Sequence, residues 1–275
     1  MKNRVICLRL AFFVPLLLSV ACDLFLPLLL PEGFSSEWWH TVLSRALCTV
    51  SVGALAIFCD ISLLRPTARL SLRRPALALA VTVGAFAVAL NNLPTVALAT
   101  GAARVTRPLP ELLLFALGCL AIGLFEEALF RGFFLPYLLR KMRPTRTGRF
   151  LAVLITSAVF GIIHLFNLAY GAGVGATLLQ VGYSFLIGGL MAALVLATGR
   201  LLPAVLCHAL YDFCGRLVPV CGEGTLWDTP TVVFTVLLSL AVAAAVAVFF
   251  LDEGGEMQNA ECRMQKGGSK PPPYG

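Results

Sequence analysis

The sequence predicts an all-helical, polytopic membrane bundle of about eight transmembrane helices. Three observations predict it. Only 13% of the 275 residues are charged, 59% are hydrophobic and the mean hydropathy is +0.90. A soluble domain carries about 25% charged residues, so there is too little polar surface here to cover a globule. The apolar residues fall into runs long enough to cross a bilayer, and the basic residues fall between those runs with a strong alternation. A soluble enzyme, a disulfide scaffold, a disordered regulator and a fibrous protein are excluded.

A span needs about 20 apolar residues. Eight runs meet or approach this: 5–30, 41–63, 75–98, 111–139, 150–168, 176–198, 201–220 and 231–251. The N-terminus, the loop after the second run, the loop at 140–149, Arg200 and the C-terminal tail hold 16 basic residues, whereas the intervening loops hold only Arg104 and Arg107. Basic residues collect on the cytoplasmic side, which sets both termini there and requires an even number of spans. The net charge of +7 is thus a topological signal and predicts no nucleic-acid partner. Residues 1–251 form the expected membrane domain, and the Gly-, Glu- and Lys-rich stretch 252–275 reads as a disordered cytoplasmic tail. The start loosely resembles a signal peptide ending at Cys22, but the apolar run resumes after Asp23, so the first helix is read as retained. The nine cysteines sit mostly in apolar runs without a C-x-x-C pair and read as small buried hydrophobes.

Ionisable groups inside spans are costly and mark function. Three clusters stand out: Glu126-Glu127-x-x-x-Arg131 in the fourth run, Phe160-x-x-x-His164 in the fifth and His208-x-x-x-Asp212 in the seventh. Glu127 and Arg131 stand at i,i+4 with the acid first, the favourable order for an ion pair. Glu126 lies about 100° around the helix from Glu127 and has Phe130 at i+4, so it must find a partner elsewhere. Phe160 and His164 share one face, as do His208 and Asp212. His40 follows Trp38-Trp39 and reads as interfacial, as do the lone acids Asp23 and Asp60. Asn91-Asn92 before Pro94 marks a helix end or kink. Gly171, Gly173 and Gly175 lie in a loop, while Gly182, Gly188 and Gly189 permit close helix packing.

In this order and on separate spans, the three clusters resemble the CAAX protease and bacteriocin-processing family of intramembrane glutamic endopeptidases, which includes the type II CAAX prenyl endopeptidases. Its signatures are Glu-Glu-x-x-x-Arg, Phe-x-x-x-His and His-x-x-x-Asn/Asp, and the resemblance covers about 110–220. It implies a helical bundle around a water-accessible catalytic cavity, with peptide-bond hydrolysis and no metal or other cofactor. It also implies that Glu126 and His164 activate a water while His208 and Asp212 support the oxyanion. Glu127, Arg131 and Phe160 are then supporting residues. Asp212 replaces the amide form of the motif. An ionised carboxylate would repel an oxyanion, so Asp212 is expected to hold His208 in its donor tautomer or to be protonated.

Counted from the expected span ends at ~1.5 Å per residue, Glu126 lies about 20 Å deep and His208 about 10 Å. The ends must shift for the two to meet. The expected substrate is the C-terminal segment of a membrane-associated or lipidated peptide or protein. Membrane lipid is the other expected partner, and a bacterial cytoplasmic membrane the expected location. Two alternatives stay open from the residues alone. One is a metal-dependent membrane protease using Glu126, Glu127, His164 and His208, although no His-Glu-x-x-His is present. The other is a non-catalytic transporter or immunity protein that binds through the same buried polar groups.

Overall fold

In the computed structural model, residues 13–29, 32–66, 75–143, 145–224 and most of 233–246 are described. They form a helical membrane bundle. Five helical stretches are long and apolar enough to cross a bilayer: Ser35–Phe58, Leu109–Lys141, Thr147–Tyr170, Val174–Thr198 and Leu202–Cys221. Shorter apolar helices at Phe13–Leu29, Ala78–Asn91 and Val233–Val242 occupy the remaining three positions. Each of the eight runs thus contains helix, but five of them reach spanning length. The tail at 252–275 lies outside the described residues.

In chain order, α1 is Phe13–Phe25, extended by a 3₁₀ turn over Leu26–Leu29, and α2 is Phe34–Phe58. Helix α3, Pro75–Asn91, stops at the Asn91-Asn92 and Pro94 punctuation, and the short α4, Thr95–Thr100, follows. Proline supplies no N–H and disfavours helix in the residue before it, which explains the break inside the expected 75–98 run. Strand β1, Ala103–Val105, pairs antiparallel with β2, Gly222–Gly224, and an exposed Arg104–Glu223 ion pair at 3.0 Å spans them.

The 33-residue stretch Leu109–Lys141 has three parts. Helix α5 is Leu109–Glu127, a π-helical segment runs over Ala128–Phe134, and α6 is Leu135–Lys141. Helix α7, Arg146–Ile163, is N-capped by the Thr145 hydroxyl, which accepts from the Gly148 N–H. It tightens into a 3₁₀ segment at His164–Tyr170. Helix α8 is Val174–Thr198, closed by Gly199 in the left-handed conformation, and α9 is Leu202–Cys221.

The core lies among α2, α3, α5, α7, α8, α9 and the π segment, around Val52, Ala85, Leu129, Phe130, Phe160, Leu194 and Val205. Outward faces carry large exposed hydrophobics such as Ile57, Leu113, Leu186 and Leu202, the arrangement that lipid requires. Glycine allows close approaches, three of them near the polar clusters. A Cβ on Gly123 would meet the Val205 O and Ala209 N at 3.1 Å, so α5 and α9 touch backbone to backbone there. One on Gly161 would meet the Val181 O at 2.8 Å, closing α7 onto α8, and one on Gly188 would meet Arg131 Nη2 at 2.9 Å. Gly182, expected to permit packing, faces open space.

Candidate active site

The site grows out of the π segment. Regular α-helix ends at Glu127, and the seven residues that follow, Ala128 to Phe134, take the wider i→i+5 pattern. Such segments are rare and cluster at functional sites. Arg131 and Glu127 are both fully buried, and Arg131 Nη1 donates to Glu127 Oε1 at 2.9 Å. The guanidinium lies over the Phe160 ring at 4.4 Å and the Phe130 ring at 5.8 Å. Among the described residues, Arg131 Nε and Nη2 and Glu127 Oε2 have no hydrogen-bond partner.

The same Glu127 Oε1 also holds His208. His208 Nδ1 lies 2.7 Å away, close enough for a strong charge-assisted hydrogen bond, with the protonated nitrogen donating. His208 Nε2 then points to two further carboxylates, with Glu126 Oε2 at 3.6 Å and Asp212 Oδ2 at 3.9 Å. The bond that orients the ring therefore comes from Glu127. Asp212 stands just beyond hydrogen-bond distance of the opposite nitrogen.

His164 sits where α7 tightens into the 3₁₀ segment, and its Nδ1 lies 2.8 Å from the Phe160 carbonyl oxygen. A protonated Nδ1 donates to that carbonyl and leaves Nε2 with its lone pair. The Phe160 ring stands edge-on to both imidazoles, with centroids 5.2 Å from His164 and 5.9 Å from His208. Phe160 thus spaces the two histidines while its other contact covers Arg131.

All four expected reactive residues, Glu126, His164, His208 and Asp212, line one cavity of about 1580 Å³. Their surroundings are mixed. Val88, Ile122, Phe150, Leu154, Leu190 and Val242 give apolar wall, and Tyr183, Tyr211, Asn167 and Gln180 give polar groups. Asn167 Nδ2 donates to Gln180 Oε1 at 2.8 Å, and the rings of Tyr183 and Tyr211 lie 6.3 Å apart. The cavity is large enough for a peptide with a hydrophobic attachment, since drug-sized ligands occupy roughly 300–1,000 Å³. Among the described residues no three His, Cys, Asp or Glu side chains are grouped so as to hold a metal ion.

Several residues reach the site that the motifs did not reveal. Arg45 and Arg216 both line the cavity. Asp23, read from sequence as a lone interfacial acid, instead pairs with Arg45 at 3.0 Å, and Ser19 accepts from the same guanidinium. Glu127 does more than clamp Arg131, because it also fixes His208. Tyr183 and Tyr211 carried one usable signal, a hydroxyl inside an apolar run.

The expected depth difference between Glu126 and His208 vanishes in the structure. A Cβ on Gly132 would lie 3.3 Å from Leu201 Cδ2 and 3.0 Å from Leu63 Cδ2, so the start of α9 is level with Gly132. Glu126 is six residues before Gly132, and His208 is seven after Leu201. Both therefore lie about 10 Å from that level, at ~1.5 Å per residue. The residues from Gly132 to Lys141 overhang, and this overhang made the fourth span seem deeper than the seventh.

Comparison with known protein families finds a match over the middle of the chain. Residues 108–214 match the family model described as Rce1-like, type II CAAX prenyl endopeptidase Rce1-like. The matched segment contains all three motifs, from Glu126 to Asp212. The family's description is that of an endopeptidase. No curated protein and no solved structure matches the chain.

Proposed function

We propose that this membrane protein, Rce1-like over residues 108–214, is a metal-independent glutamic endopeptidase. It hydrolyses a peptide bond near the C-terminus of a membrane-associated or lipidated peptide or protein. The observation that carries the reading is His208. Its Nδ1 is held by Glu127 at 2.7 Å, and its Nε2 is turned to Glu126 and Asp212 on the wall of a cavity that also contains His164.

Peptide hydrolysis needs a base for water, a donor for the oxyanion and a proton for the leaving amine. Glu126, with a side chain 24% exposed to the cavity, takes one proton from a water that His164 Nε2 orients by accepting a hydrogen bond from its other O–H, which stays on the oxygen. The water oxygen bonds to the scissile carbonyl carbon. His208 works with both ring nitrogens protonated: Nδ1–H stays with Glu127 and Nε2–H is offered to the oxyanion. Asp212 balances that cation. When the tetrahedral intermediate collapses, the C–N bond breaks and the proton on Glu126 passes to the departing nitrogen. No covalent acyl-enzyme forms. Arg131 holds Glu127, and Phe160 holds the spacing of the two imidazoles.

The chain would work in a bacterial cytoplasmic membrane, and the basic loops favour an orientation with both termini cytoplasmic. The test uses purified protein in lipid nanodiscs with fluorogenic peptides ending in a prenylated Cys-aliphatic-aliphatic-X sequence. Cleavage by the wild type and none by Glu126→Gln, with both proteins folded, supports the reading. Undiminished cleavage by Glu126→Gln overturns it. A Glu126→Gln variant that keeps full function in cells, with correct insertion, would favour a binding protein instead.

A further inference from the structure

The chemistry proposed above asks for more donors at the oxyanion than the motif residues supply. Oxyanion sites converge preorganised donors on one oxygen, and losing a single donor costs roughly 10²–10³ in rate. His208 Nε2–H is one donor. The amide form of the third motif would bring a second N–H at position 212, but the residue there is Asp212, and an ionised carboxylate only accepts. A second donor therefore has to come from another cavity residue. Two amides of the wall are already engaged. Asn92 Nδ2 donates to the Tyr211 carbonyl oxygen at 3.0 Å, and Asn167 Nδ2 to Gln180 Oε1 at 2.8 Å. Tyr183 and Tyr211 line the same cavity, and their hydroxyls have no hydrogen-bond partner among the described residues.

Helix packing puts Tyr183 at the depth of the reactive residues. A Cβ on Gly161 would lie 2.8 Å from the Val181 O and 3.3 Å from Phe185 Cβ and N. Gly161 of α7 is thus level with the stretch of α8 centred on Tyr183. Phe160, whose ring stands edge-on to both His164 and His208, is one residue from that level. His164 is three residues from it, or ~4.5 Å along the helix. Toward α9, the Tyr183 ring lies 6.3 Å from that of Tyr211, which is less than a turn after His208 and directly before Asp212. Tyr183 is within electrostatic reach of Asp212, Arg216 and Glu126. Asp212 and Glu126 are the two carboxylates that His208 Nε2 faces. We propose that Tyr183 is a second oxyanion donor, its O–H giving the hydrogen bond that an amide at position 212 would have given. This inference rests on the endopeptidase reading above. As the water oxygen bonds to the carbonyl carbon, the C=O π pair moves onto the oxygen, which accepts from His208 Nε2–H and Tyr183 O–H. On collapse the pair returns and the C–N bond breaks. Tyr183 keeps its proton throughout.

The test pairs turnover of a fluorogenic peptide with binding of a phosphinic peptide, whose anionic P–O stands where the oxyanion develops. Both are measured in lipid nanodiscs on the wild type, Tyr183→Phe, Tyr211→Phe, Asp212→Asn and the Tyr183→Phe, Asp212→Asn double variant. Tyr183→Phe keeps the ring and deletes one oxygen, so the unfolding midpoint should hold. It should lower kcat and phosphinic-peptide affinity by roughly 10²-fold while KM moves less than about threefold. In the Asp212→Asn background the restored amide should shrink the affinity penalty of Tyr183→Phe to less than about tenfold. A penalty equal in both backgrounds overturns the proposal, as does a loss in KM alone or an equal loss in Tyr211→Phe. So does a Tyr183→Phe enzyme within about threefold of wild type. If Glu126→Gln is inactive in the same assay, the endopeptidase reading survives any of these results. A wild type that cleaves nothing, or a Glu126→Gln protein that cleaves undiminished, overturns both.

Discussion

His208 and Glu127, 81 residues apart in sequence, are joined by a 2.7 Å contact between Nδ1 and Oε1 in the interior of the bundle. The same carboxylate oxygen receives Arg131 at 2.9 Å. Glu127 is therefore shared between a fully buried cation and a candidate catalytic ring, so structure and chemistry can be separated by substitution. Glu127→Ala leaves Arg131 buried without its counter-ion, a loss of about 3–5 kcal/mol for such pairs. Replacing both partners with apolar residues, Glu127→Leu with Arg131→Met, should recover most of that stability. Cleavage should stay at least about tenfold down, because His208 has lost its anchor. Thermal unfolding in detergent and peptide turnover read the two effects separately. Recovery of both together would show that Glu127 is structural only.

Glu126 presents the opposite case. It reaches His208 Nε2 only at 3.6 Å and opens to the cavity. Glu126→Gln should leave the unfolding midpoint nearly unchanged and lower kcat by roughly 10²–10⁴-fold, the usual worth of a general base. A large loss of stability with modest loss of turnover would reassign Glu126 to the scaffold.

The proposed chemistry uses only side chains. Turnover should continue in excess EDTA or 1,10-phenanthroline. Activity that disappears with chelator and returns with zinc would establish the metal-dependent alternative.

Contact between α5 and α9 sets the distance from Glu126 to His208, and Gly123 sets that contact. Gly123→Ala places a Cβ 3.1 Å from two backbone atoms of α9. It should cost about 1–3 kcal/mol and lower turnover by displacing His208. Gly182→Ala, which meets nothing within 4 Å, should change neither. Paired melting and kinetic measurements on the two variants decide it, and equal behaviour would remove the role given to Gly123.

What sequence could show depended on how local each feature was. Helix positions followed from apolar run length, and the Glu127–Arg131 pair followed from i,i+4 spacing. The three motifs brought Glu126, His164, His208 and Asp212 into view as a group. The His208–Glu127 contact was not legible, because no periodicity links α9 to α5. Asp23 was visible as a near-span acid, but its pairing with Arg45 depends on the way α1 lies on α2. Of the three α8 glycines, spacing alone could not tell Gly188, which makes room for Arg131, from Gly182, which faces open space. Depth was misjudged from span ends because α6 overhangs the start of α9.

The π segment at Ala128–Phe134 also sets the phase of its span. A π bulge carries a residue more than a regular α-helix would need over the same path. The helix before it, bearing Glu126 and Glu127, and the helix after it, bearing Pro136 and Arg140, are thus out of step in rotation. Removing one residue from this segment would return it to regular α-helix over the same path and leave the helix beyond close to its present phase. Tightening it to regular α-helix at its present length would instead turn everything beyond by about 100° relative to Glu126 and Glu127. Arg140, whose guanidinium now donates to the Cys59 and Asp60 carbonyls at the end of α2, would then swing away from them. The widened winding of this short stretch is therefore as constrained as the identity of the residues on either side.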